Sequence, residues 1–165
     1  MSAPDTYPPD RYLGPGGEVT ATHRPCDSPP EIRNPDGGAA HYLATGATTG
    51  GKFGLYRWEM GPGRSGPGPH FHRSISESFY VLSGEITIFD GTRWLPRGPG
   101  DFVHVPEGGI HGFRNESGEP ASMLLHFAPG APREDYFETL ADPGRREMDE
   151  EARAAFMLRH DTFWV

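Results

Sequence analysis

Cysteine is almost absent. Cys26 stands alone, so no internal disulfide can form and the fold must hold by burial. That usage fits a reducing compartment, and a cytoplasmic location is expected. Long apolar runs are also missing, which excludes a helical membrane span. Residues 1–10 carry neither the basic cluster nor the apolar stretch of a secretory leader. Positive charge is scarce: 15 lysines and arginines face 23 acids, a formal net charge of −8. A nucleic-acid binder needs a basic footprint, and anionic lipid repels an acidic surface, so neither is expected as a partner.

Glycine and proline are plentiful instead, 23 and 18 of 165 residues. There is no collagen-like period, and aromatics at 12% are too many for a disordered polymer. The length suits one domain with room for tails. Turn-forming residues at this density suit many short strands and exclude a helical bundle.

Three regions follow from the text. Residues 1–38 form a Pro/Gly-rich N-terminal arm, with 18–23 as a candidate strand. Residues 39–128 alternate short apolar runs with Gly/Pro clusters. The expected strands are 40–44, 54–60, 79–82, 85–89, 102–106, 111–115 and 122–127. Asp90-Gly91 is the best hairpin signal, since both central positions can take positive φ. Strands at this spacing predict an all-β sandwich or barrel. Residues 129–165 read as a helical tail: 133–140 and 147–159 have helical periodicity, and Pro143-Gly144 separates them.

The chemistry gathers between Pro69 and Glu77. His70 and His72 are two apart on a strand, so both imidazoles point to one face. Glu77 returns to that face after a short turn, and His111 follows a second turn at Glu107-Gly108-Gly109. Three imidazoles and one carboxylate suit one divalent transition metal: iron, manganese, cobalt, nickel, copper or zinc. Calcium or magnesium would want oxygen donors. Elsewhere, Tyr56, Trp58 and Met60 share one face of a strand and are candidate pocket lining, with His126 a further candidate. His104 is assigned to the opposite side from Val103 and Val105. Asn115-Glu116-Ser117 matches a glycosylation sequon but is discounted without a secretory signal.

These residues resemble the cupins, single-domain jelly-roll proteins with two signature motifs. The first motif is matched by His70, His72, Glu77 after four intervening residues and Gly84 after six more. The second is matched by Gly100, Pro106, Gly108, His111 and Asn115 with every spacing kept. One position departs: Arg64 stands where the first motif has glycine. The resemblance covers residues 50–128. It implies a cupin jelly-roll barrel or sandwich with short C-terminal helices, and a metal held by His70, His72, Glu77 and His111 with open coordination positions.

Within that family the sequence resembles quercetin dioxygenase-like cupins. The implied activity is a metal-dependent dioxygenase acting on a small organic molecule, with Glu77 as metal ligand and general base. The alternatives are a non-redox isomerase or polyketide cyclase, and a metal-containing small-ligand-binding protein without turnover. Cupin relatives commonly pair, and the arm is long enough to cover a neighbour's sheet edge, so a homodimer is expected. In the tail, the 133–140 helix is expected at the barrel rim and the 147–159 helix over a sheet face. Loss of 145–165 is expected to leave metal occupancy intact.

Overall fold

The structure is a computed structural model and describes residues 6–165. Residues 1–5 of the expected arm lie outside the described residues. Residues 6–30 run without regular structure and are mostly exposed, and 18–23 forms no strand.

Eleven strands and three helices follow: β1 (Ile32–Arg33), β2 (Ala39–Ala44), β3 (Gly54–Met60), β4 (His70–Phe71), β5 (Ser76–Ser83), β6 (Ile86–Phe89), β7 (Trp94–Arg97), β8 (Phe102–Val105), β9 (Gly112–Arg114), β10 (Ala121–Ala128), α1 (Glu134–Ala141), α2 (Pro143–Arg146), α3 (Glu150–Arg159) and β11 (Phe163–Trp164). One sheet has the order β1-β2-β3-β10-β5-β8. Facing it, β7-β6-β9 and the pair β11-β4 are joined by the bridges Ser65–Asn115 and His70–His111. The result is a two-layer, sandwich-like jelly roll.

Strand alternation explains which side chains enter the core. On β10, Ala121, Met123, Leu125 and Phe127 are buried while the residues between them are half-buried. Register carries this across the sheet. Tyr56, Leu125, Phe79 and Val103 form one inward row, and Gly54, Phe127, Glu77 and Val105 the next. The opposite face carries Arg57, Leu124, Tyr80 and Phe102 in a matching row.

Turn chemistry differs from expectation at one hairpin. The β6–β7 loop spans 90–93 and only Gly91 takes positive φ, at 94°. The Asp90 carboxylate accepts from the Thr92 and Arg93 amides, so the side chain closes the turn in place of a second left-handed residue. Pro96 obscured β7 in the sequence. It is tolerated because β7 is an edge strand.

Asp149 caps α3 by accepting from the Ala152 amide at 2.8 Å, and Asp142 caps α2 through Gly144 at 2.9 Å. α1 packs Tyr136 and Phe137 inward, and Phe156 of α3 stacks on Tyr136 at 5.6 Å. Among the described residues no helix is long and apolar enough to cross a membrane.

Phe79 is fully buried between the layers, whereas His104 points outward. Phe79→Ala should therefore cost roughly 3–5 kcal/mol in urea unfolding. His104→Ala, which loses only the hydrogen bond to Ser78 Oγ, should cost no more than roughly 1–2 kcal/mol.

Candidate metal centre

β4 and the turn after it carry His70 and His72. Glu77 stands near the start of β5, and His111 immediately precedes β9. All four side chains are buried, and one donor atom from each lies within 4.8 Å of every other. Glu77 Oε2 is 2.8 Å from His111 Nε2 and 3.3 Å from His72 Nε2.

The three imidazoles are oriented in the same way. His70 Nδ1 donates to Gly68 O at 2.8 Å, His111 Nδ1 to Gly109 O at 2.9 Å and His72 Nδ1 to Asp161 O at 2.6 Å. A carbonyl oxygen only accepts, so each Nδ1 carries a proton, and each Nε2 faces the cluster, where its lone pair is free for a cation whenever no second proton sits there. These are the donors a borderline divalent cation takes.

The electrostatics agree. Burial, reinforced by His111, pushes the His70 imidazole down to about 4, so it stays neutral and able to ligate. Burial alone would raise Glu77. Hydrogen bonds from His111 and His72, with their charge, outweigh it and hold the carboxyl far below its ordinary range. Burial also works against charge on His111, yet the bond and charge of Glu77 raise that imidazole overall. With Nδ1 already donating to Gly109, the Nε2 contact to Glu77 requires a second proton. A cation can take the place of that proton.

Glycine is required around the site. Gly108 has φ of 80° and donates its amide to His72 O at 2.6 Å. Arg64 is exposed, and the tight approach before His70 is made by Gly66, where a Cβ would lie 2.1 Å from Phe113 O. Asn115 is no ligand. It is fully buried, donates to Gly61 O and Glu119 O at 2.9 and 2.7 Å, and accepts from Ser117.

A cavity of about 650 Å³ opens beside the cluster, and His70 and Glu77 form part of its wall. Trp58 lines it, while Met60 lines a smaller adjoining hollow of about 180 Å³. Tyr56 is buried core; it donates to Glu134 at 2.5 Å and packs edge-on against Phe127 and Phe137. His126 lies on the other face of β10, stacked on Phe53, because Leu125 and Phe127 take the inward positions. It lines neither of these cavities.

Three further residues belong to the site. Asp161 has φ of 50° just past α3. Besides holding His72, it accepts through its carboxylate from the Arg73 amide at 3.0 Å and the Ser74 amide at 2.8 Å. Trp164 lies 5.3 Å from the His70 ring. Arg133 is buried in the cavity wall. A local signal did mark Arg133: a cation at a helix N-terminus opposes the dipole. Nothing in the local sequence marked Asp161. α3 also departs from expectation, since Met157 and Arg153 line the cavity rather than a sheet face.

Two packed sheets that bury three converging imidazoles and a carboxylate define a jelly roll whose donors suit a single metal ion. The cupin-domain family matches residues 56–127. Protein SchB of Streptomyces halstedii is 33% identical over 134 residues, which cover 78% of this chain and 88% of SchB. The chain belongs to the cupin family. Quercetin 2,3-dioxygenase of Bacillus subtilis is 36% identical over 74 residues, 45% of this chain but only 21% of that enzyme. Among solved structures, a predicted oxalate decarboxylase from Thermotoga maritima aligns with TM-score 0.57 at 25% identity, covering 66% of this chain and 99% of that one. KdgF from Halomonas sp. shares the fold with TM-score 0.55 at 18% identity, over 66% of this chain and 92% of its own.

Elemental analysis of the purified protein should find one divalent transition-metal ion per chain, and His72→Ala should lose it while keeping the far-UV spectrum of the parent. Asp161→Ala keeps the backbone carbonyl that accepts from His72 but loses the carboxylate that fixes the turn through the Arg73 and Ser74 amides, and it should weaken metal binding by about tenfold or less. Because Asp161 holds His72, removal of 145–165 should also deplete the metal, contrary to the sequence-based expectation.

Proposed function

We propose that the protein is a metal-dependent enzyme acting on a small organic molecule, and that its reaction is an oxygen-using dioxygenation of the quercetinase kind. One observation supports the first half above others. Two of the four cluster residues, His70 and Glu77, stand in the wall of a cavity of about 650 Å³. That volume suits a compact organic ligand. Trp58, Phe113, Phe127 and Phe137 line it and offer ring faces and edges to a flat unsaturated molecule. The likeness to quercetin 2,3-dioxygenase supports the second half.

A bound transition metal supplies a Lewis acid for a substrate oxygen. The chain supplies the rest. Gly68, Gly109 and Asp161 hold the imidazoles in the ligating tautomer. Glu77 stays ionised, and both its hydrogen bonds fall on Oε2. Oε1 is therefore the atom to take a proton from a bound enol or phenol.

The cavity also supports a second reading, a non-redox isomerase or polyketide cyclase. Its lining runs from Ile32 to Trp164, a longer stretch than the 74 residues shared with the quercetin enzyme. That likeness therefore cannot extend over the whole cavity.

A homodimer is part of the proposal. Tyr7, Leu13 and Val19 of the arm are almost fully exposed, and β1 leaves a sheet edge open. Light scattering should report about twice the 18.1 kDa chain mass; a value near one chain mass ends this part.

Oxygen uptake decides between the reactions. Flavonols, catechols and 1,3-diketones should include one that consumes oxygen with metal-loaded protein, and Glu77→Gln should abolish the uptake. Turnover of any of them under argon at an undiminished rate would favour the non-redox reading.

A further inference from the structure

Arg133 is the least expected charge in the molecule. It is 4% exposed, and no carboxylate among the described residues lies within ion-pair distance of it. Its Nη1 donates to His160 O at 2.7 Å and reaches Thr162 Oγ1 at 3.4 Å, while Nε is buried without any partner. The guanidinium lies 4.1 Å from the Tyr136 ring centroid and 5.4 Å from that of Phe127. Aromatic contact and one carbonyl do not balance a buried guanidinium, whose removal from water costs several kcal/mol. A purely structural clamp between α1 and the residues after α3 could have been neutral.

The carboxylates of Glu77 and Asp161 act on Arg133 only through space, and each is taken by other partners. His111 and His72 take the Glu77 Oε2. A divalent ion against one carboxylate would leave the cluster with a formal positive charge. Arg133 and the cluster would then be two cationic points in one cavity. The mouth continues the pattern. Arg146 and Arg153 line it, both exposed and neither in an ion pair among the described residues. Asp36 is the exposed acid of the same lining, so the arginines still leave the mouth net positive in a chain of net charge −8.

We propose that Arg133 is the anion-binding residue of the cavity, and that the ligand class is an unsaturated, largely apolar molecule bearing a carboxylate or a delocalised enolate or phenolate oxygen. The guanidinium binds that oxyanion through donors the protein leaves unused, the aromatic walls hold the apolar body, and the cluster faces another substrate oxygen. Arg146 and Arg153 draw the anion to the mouth. The proposal rests on the cavity being a substrate site. Its test needs neither turnover nor metal, so it can fail separately from the proposed reaction.

The probes are 2-naphthoate, its neutral isostere 2-naphthamide, and 2-naphthol titrated across its own ionisation. Binding to the full chain is measured by calorimetry, as purified and after chelation. The parent should bind 2-naphthoate at least about tenfold more tightly than the amide in both forms, as expected for a charge-assisted hydrogen bond. Arg133→Met should erase that preference while leaving amide affinity unchanged. Because Arg133 also holds His160, Arg133→Lys is the second variant; it keeps the charge and should retain only part of the preference. Arg146→Gln with Arg153→Gln should slow association and flatten its salt dependence. Naphthol binding that strengthens on ionisation assigns the site to oxyanions in general; strengthening absent, with naphthoate preferred, assigns it to carboxylates. Equal affinities for acid and amide in the parent, or an undiminished preference in a folded Arg133→Met, overturn the proposal. So does the absence of naphthoate binding at millimolar concentration.

Discussion

A carboxylate occupies a core position. In the inward row Gly54, Phe127, Glu77 and Val105, every neighbour is apolar, and an unpaired charge there would cost several kcal/mol. The fold is arranged to compensate it. His72 and His111 meet Glu77 on one oxygen, and His70 closes the cluster from β4. Each imidazole is in turn fixed by a backbone carbonyl from a different place: the approach to β4, the loop before β9, and the residue following α3. The glycine-dependent turns are shaped largely by the need to bring those carbonyls to the right points.

Much of this is legible in the sequence. β3 has the bounds expected of it, and the inward residues of β10 follow from strict alternation. The four donors were legible because a strand and two tight turns leave few other geometries for that spacing. The short strands β1 and β11 were not: two residues carry no periodicity. Local text also could not show that residue 161 reaches residue 72. That contact depends on where α3 ends relative to β4, which is a tertiary fact. His126 illustrates the opposite error, since its alternation with Leu125 and Phe127 already placed it outside.

The C-terminal region is a wall rather than cladding. Tyr136, Phe137 and Leu140 of α1, with Met157 of α3, close the cavity that the two sheets leave open at one end. The same helices bring Arg133 to the cavity and Asp161 to the ligand turn. One stretch of chain therefore supplies wall, charge and ligand support, and these functions are physically coupled through α1 and α3.

The His72–Asp161 hydrogen bond joins positions 89 apart, and β11 pairs with β4 over a similar separation. Closing so long a loop is entropically costly until much of the chain is in place, and such contacts form late. A nascent chain that has reached only α1 already contains all four donors, yet lacks the carbonyl that fixes one of them. An ion that requires all three oriented imidazoles would therefore meet a nearly finished protein, unlike the zinc that folds a finger. Selection among metals would then fall to a cavity already shaped rather than to an open strand.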